Sequence, residues 1–156
     1  MTDEQAATII TLCRNLIMRY AVAIDAQDFE AFVAVFTEEG SFARPGMPVL
    51  RGRQAIRDFL VDLRGQRLGG NPDGHLQRHL FTTVWIDPVS ATEARGVSCA
   101  LAYRDEHFNG VVPSAMRMPE LLIEYRDRFE RRDGQWLLHD HVATHLFSNR
   151  AGVILP

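Results

Sequence analysis

The sequence contains no lysine; all 17 basic residues are arginine. That excludes a Schiff base or a lysine nucleophile. Cysteine is scarce: Cys13 and Cys99 lie far apart and belong to no spaced motif. Such usage fits a reduced, cytoplasmic protein and neither a disulfide scaffold nor a thiolate metal site. Surplus positive charge is also missing. The formal net charge is −3, which offers no electrostatic footprint for nucleic acid or an anionic membrane. No apolar run approaches the roughly 18–20 residues that span a bilayer. The start, Met1-Thr2-Asp3-Glu4, is acidic and unlike a signal peptide. Glycine-rich dinucleotide and phosphate loops, a Gly-x-Ser-x-Gly elbow and a Cys-x-x-Cys pair are all lacking.

What is present describes a folded chain. Its 156 residues are 46% hydrophobic and 24% charged, enough for a real core and consistent with a single domain over 1–156. Thr2 and Asp3 are good N-caps. Ile9, Leu12, Cys13, Leu16, Ile17, Tyr20 and Ile24 then follow helical spacing. Asp28 caps a second helix with the stripe Phe29, Phe32, Val33 and Phe36, ended by Glu39-Gly40; Ser41 to Ala43 is a short strand. A third helix follows Gly52, with Ile56, Phe59, Leu60 and Leu63 on one side. Residues 65–75 read as a loop. Beyond Gln77 the composition turns β-branched and aromatic. Four strands are expected, over about 79–86, 91–103, 121–131 and 135–147. Turns fall at Asp87-Pro88 and Arg132-Asp133-Gly134, and a loop around Gly110 and Pro113. The apolar tail Gly152 to Pro156 is suited to packing on a neighbouring subunit. Helices first and strands after them indicate an α+β fold, with a ligand pocket at the mouth of a curled sheet.

Three side-chain groups carry candidate chemistry. The first is Tyr20, Asp25 and His79. A carboxylate beside an imidazole makes a general base at neutral pH, and a Tyr hydroxyl can hold a carbonyl or leaving oxygen. Spacing alone does not join them. Tyr20 and Asp25 stand about 140° apart on a regular helix, so both reach one cavity only if the helix ends near Ile24 or the cavity wraps its end. The plainer reading is a helix-terminal acid and a surface His. The second group is His139, His141 and His145. On a regular strand they share a face and could converge on a metal. No Glu follows Glu130, however, and the reading favoured is a solvated strand face with no metal. The third is the run from Glu124 to Phe129. Tyr125, Asp127 and Phe129 share one face, and Glu124, Arg126 and Arg128 the other. Tyr125 is the pocket candidate, because a buried Tyr supplies both area and a hydroxyl. Ser98 and Cys99 are isolated and read as core.

The run from Arg19 to Phe29, then Phe36-Thr37-Glu38-Glu39-Gly40, Gly52, His79 and the stretch from Tyr125 to Trp136 resemble the SnoaL-like families of the nuclear-transport-factor-two-like superfamily. The resemblance implies a cone-shaped barrel: three N-terminal helices packed on a strongly curved, mostly antiparallel sheet, in a homodimer or homotrimer. It also implies a cofactor-free lyase or isomerase of the scytalone dehydratase, bile-acid dehydratase and hexachlorocyclohexane dehydrochlorinase kind. There an Asp ends helix one and a His opens the strand after helix three. Asp25 and His79 stand at those places, as the catalytic pair for a small, hydrophobic, cyclic carbonyl substrate. Tyr20 and Tyr125 would bind its oxygen; Phe36, Phe42, Phe81 and Trp85 would form the walls. Ser98 stands where scytalone dehydratase has a second His. Ile24 replaces that enzyme's Tyr, and Tyr20 replaces the dehydrochlorinase's Lys, which lowers the case for halide elimination. The same resemblance admits a non-catalytic small subunit of a ring-hydroxylating dioxygenase, or a ligand-binding protein.

Overall fold

The first helix begins where the cap chemistry puts it. Thr2 accepts from the backbone of Gln5 at 3.2 Å, and the Gln5 amide accepts from the Thr2 backbone at 2.9 Å. This capping box satisfies two orphan donors at once. Helix α1 then runs Asp3–Asp25. By length and hydropathy alone α1 is apolar enough to cross a membrane, a longer apolar segment than the sequence reading allowed. In the fold its stripe of Ile9, Cys13, Leu16, Ile17 and Tyr20 is buried in the core.

The computed structural model describes residues 1–68, 74–115 and 118–149. The apolar tail after Gly152 and most of the glycine-rich part of the 65–75 loop lie outside the described residues. After α1 come α2 (Phe29–Val33), β1 (Phe36–Ala43), β2 (Leu50–Arg51), α3 (Arg53–Leu68), β3 (Leu76–Pro88), β4 (Glu93–Asp105), β5 (Leu121–Arg132) and β6 (Gln135–Ser148). Asp28 caps α2 by accepting from Ala31 N at 2.9 Å. That helix stops at Val33, and residues 36–43 are strand, which corrects the expectation that helix two continues to Glu39-Gly40. Phe36 keeps helical spacing from Phe32, but the backbone from Phe36 to Ala43 finds partners on β6 instead. Tertiary pairing overrides a local pattern of this length.

Six strands form one curved sheet in the order β2-β1-β6-β5-β4-β3. β1 runs parallel to β6; the other pairs are antiparallel. The expected four-stranded meander is β3 to β6, enlarged by β1 and β2. The helices cover the inner face, where Ile17, Phe32, Phe36, Ile56, Phe129 and Leu138 are almost fully buried. The inner face of β4 carries only small residues between its ends: Ala94, Gly96, Ser98, Ala100 and Ala102. Their size makes room for the aromatic residues of β3 and β5. Bulges interrupt β3 between Phe81 and Thr83, and the β5–β6 pair at two places.

Candidate active site

Asp25 is the last residue of α1, with no basic residue in that turn. A carboxylate at the negative end of a helix dipole is disfavoured by about 0.3–1 kcal/mol. The chain leaves the helix through Gln27 in the left-handed region at φ 57°. Gln27 N bonds to Ile24 O at 3.2 Å and Asp28 N to Ala23 O at 2.9 Å, the two bonds of a Schellman turn, which normally places glycine there. Two unfavourable local choices in a row mark a place kept for another reason.

That reason is His79. The Asp25 carboxylate accepts from the His79 backbone N at 2.9 Å and sits 2.6 Å from His79 Nδ1. The side chains retain only 5% and 12% exposure for His79 and Asp25. With Nδ1–H committed to the carboxylate, Nε2 carries the lone pair. His79 lines an open pocket, while Asp25 stands behind it. Tyr20, Ile24 and Gln27 line the same pocket. The helix ends at Asp25 and the cavity wraps its end, so Tyr20 lines the cavity directly while Asp25 reaches it only through His79.

Tyr20 and Tyr125 are both buried, with ring centroids 6.0 Å apart, edge to face. Burial, then each other's company, pushes the Tyr20 hydroxyl well above its ordinary range. Burial likewise raises Tyr125. Both are held as phenols, able to donate to an oxygen that gains charge.

Behind them is a second pair that sequence reading did not assemble. His141 Nδ1 lies 2.6 Å from Asp127 Oδ1, with side-chain exposures of 0% and 1%. The His141 ring stacks on Tyr125 at 4.7 Å and on Phe42 at 5.5 Å, and meets Tyr20 at 4.6 Å. His141 is therefore core, not a solvated strand position. The signal was available: Asp127 lies between Tyr125 and Phe129 on an apolar face, and a buried acid requires a partner. The three histidines of β6 do not converge. A bulge opposite Arg128 and Phe129 breaks the alternation. His139 pairs with Thr37 at 3.1 Å, and His145 lines the pocket. Among the described residues no cluster of three His, Cys, Asp or Glu side chains could hold a metal.

The expected walls divide. Phe42 lines the pocket, joined by Phe29 and Phe32, which the sequence showed only as a helix stripe. Phe36 does not line it; it is fully buried against Phe32, 5.6 Å away. Phe81 stacks behind Tyr125 at 5.7 Å and does not line the pocket. Trp85 is 57% exposed. Strict alternation from His79 and Phe81 would have turned it inward, but the bulge before Thr83 shifts the phase. Val84 and Ile86 pack inward in its place.

The mouth is polar. Gln77 donates to the Ile24 carbonyl at the end of α1, and its oxygen accepts from His75 Nε2 at 3.0 Å and from Arg104 Nε at 3.4 Å. Arg104 Nη1 meets Glu120 at 2.8 Å. Arg44, just past β1, also lines the pocket. Burial, then the neighbouring Arg104 charge, lowers the pKa of Arg44; burial lowers that of Arg104 as well. Burial, then Arg44 and Arg104, lowers that of His145. Of these residues only His145 stood out in sequence, as a member of the β6 histidine group; Arg44, His75, Gln77 and Arg104 did not, because scattered arginines, histidines and glutamines carry no periodic signal.

Residues 5–141 match the family model described as the SnoaL-like domain. No curated protein matches the chain. Among solved structures, a protein of unknown function from Mycobacterium tuberculosis is 29% identical, covering 92% of this chain and 74% of its own, with a TM-score of 0.72. A candidate scytalone dehydratase from Novosphingobium aromaticivorans is 21% identical over 97% of this chain and 93% of its own, TM-score 0.77. A hexachlorocyclohexane dehydrochlorinase from Novosphingobium barchaimii is 16% identical over 99% of both chains, TM-score 0.76. The last two share the fold.

Proposed function

This chain belongs to the SnoaL-like domain family, and from that premise we propose that it is a lyase or isomerase working by acid–base catalysis on a small cyclic carbonyl compound. The observation that carries the reading is the Asp25–His79 contact of 2.6 Å with His79 on the pocket wall. His79 Nε2 removes a proton from the carbon next to the carbonyl. Asp25 holds the ring in the required tautomer and favours the imidazolium that forms. Tyr20 or Tyr125 donates to the developing enolate oxygen. The imidazolium then protonates a leaving hydroxyl, or returns the proton at another carbon. Phe29, Phe32 and Phe42 supply the apolar wall. A non-catalytic subunit does not require an imidazole oriented by a carboxylate on a cavity wall, whereas a proton-abstracting enzyme does.

The test is proton exchange, which needs no knowledge of the full reaction. A panel of fused-ring cyclic ketones, with and without a carboxyl group, is incubated in D₂O and followed by NMR at the carbon next to the carbonyl. The wild-type protein is expected to accelerate exchange for at least one member. His79→Ala should lose about 10²–10⁴-fold of that rate, with the circular dichroism spectrum unchanged. Asp25→Asn should lose rate through the wrong tautomer. No acceleration for any member, or equal rates in wild type and His79→Ala, overturns the reading.

A further inference from the structure

Among the described residues the pocket is lined by three arginines and three histidines and by no carboxylate, in a chain whose net charge is −3. Its cations are not equivalent. Arg64 lies over the Phe29 ring, 5.7 Å from its centroid. Arg104 is held by Glu120 at 2.8 Å and reaches Gln77. Arg44 has no hydrogen bond or ion pair among the described residues, although it is partly buried beside Phe42 and Tyr125. An arginine withdrawn from water and facing a second arginine, with no counter-charge, is costly unless something else supplies the charge. The strand registers put these groups at one end of the cone. Arg44 follows the end of β1, Arg104 pairs in register with Gln77 at the start of β3, and His145 lies opposite Ile123 near the start of β5. His79 sits two residues beyond Gln77 on β3, about 7 Å along the strand.

We propose that the ligand of this pocket carries a carboxylate, bound by Arg44 and Arg104 in the polar part of the lining, with its apolar ring directed toward His79. The inference rests on the reading of the pocket as a substrate site, and it refines the substrate class from a neutral cyclic carbonyl to a ring-bearing organic acid. Guanidinium suits this role because it remains charged when partly desolvated and presents two parallel donors to a carboxylate. Glu120 fixes one fork in place, and Arg44 remains for the ligand. Burial, then the neighbouring Arg44 and Arg104, lowers the pKa of His145, whose ring lines the same pocket.

The test is a binding comparison that does not depend on turnover. The probes are 2-naphthoate and its uncharged analogue 2-naphthamide, titrated by calorimetry into the full chain at neutral pH. The naphthoate is expected to bind at least about tenfold more tightly than the amide, the scale of one charge-assisted bidentate contact. Arg44→Gln should abolish that preference, Arg44→Lys should retain part of it, and Arg126→Gln, at an exposed position outside the pocket, should leave it intact. Thermal melts confirm that each variant folds. Equal affinity for the two probes, failure of the naphthoate to bind, or a preference unchanged in Arg44→Gln overturns the proposal. Such a result leaves the acid–base reading standing if neutral ketones still exchange through His79. Conversely, a naphthoate preference lost in Arg44→Gln, with no exchange for any ketone, upholds the anion site and removes the catalytic reading.

Discussion

Asp127 shows how much one buried side chain can organise. It stands between Tyr125 and Phe129 on the inner face of β5 and holds His141 at 2.6 Å where neither touches solvent. The His141 ring in turn supports the faces of Tyr125 and Phe42, so the pair fixes two residues that line the pocket. Removing the carboxylate strands an imidazole donor in a dry site. Asp127→Ala is expected to cost about 3 kcal/mol, near the upper end for an unsatisfied buried group, as read from urea unfolding. Asp25→Ala removes a more exposed carboxylate and is expected to cost less stability while costing more exchange activity. The two Asp–His pairs have similar contact distances, yet they differ in what lies in front of the imidazole: a cavity for His79, packed aromatic rings for His141.

At the scale of elements, alternation decides which face is inside, and bulges decide where alternation resets. Trp85 points outward, and His139 fails to join His141, for this one reason. Close packing between strands is equally selective. A Cβ added to Gly96 would lie 2.9 Å from both Ile86 Cδ1 and Phe129 Cε2. Gly96→Ala is therefore expected to lose about 1–3 kcal/mol by overpacking. Ile86→Val in the same chain removes one of the two clashing atoms, so the double variant should recover part of the loss. Urea midpoints of the two single variants and the double variant measure that coupling.

At the scale of the molecule, charge is segregated: a net acidic chain surrounds a pocket whose charged lining, among the described residues, is arginine. This gives the fold a pH response with a definite sign. His145 has its pKa lowered by burial and by Arg44 and Arg104, so between its folded and unfolded values the unfolded chain binds more protons. Its contribution to stability is present above the ordinary histidine value of about 6.5 and is lost as pH falls through the folded value. Unfolding measured from neutral pH downward should show stability declining below that point. His145→Gln should flatten the decline relative to wild type. An identical slope in the variant places the effect on other groups.

The sequence by itself determined the helices with clear caps, the four long strands of β3 to β6, and the identity of Asp25, His79, Tyr20 and Tyr125 as candidates. These features follow from local rules: cap chemistry, 3.6- and 2-residue periods, and the placing of an acid and a histidine at element ends. Tertiary structure decided the rest, because non-local pairing carried it. Residues 36–43 became strand once β6 offered backbone partners. Bulges reversed Trp85 and broke up the β6 histidines. Asp127 found His141 across the β5–β6 ladder, where the register places them opposite each other. Arg44 and Arg104, 60 positions apart in sequence, came to line one pocket because the sheet curves across β1, β6, β5 and β4, a closure that no window of neighbouring residues encodes.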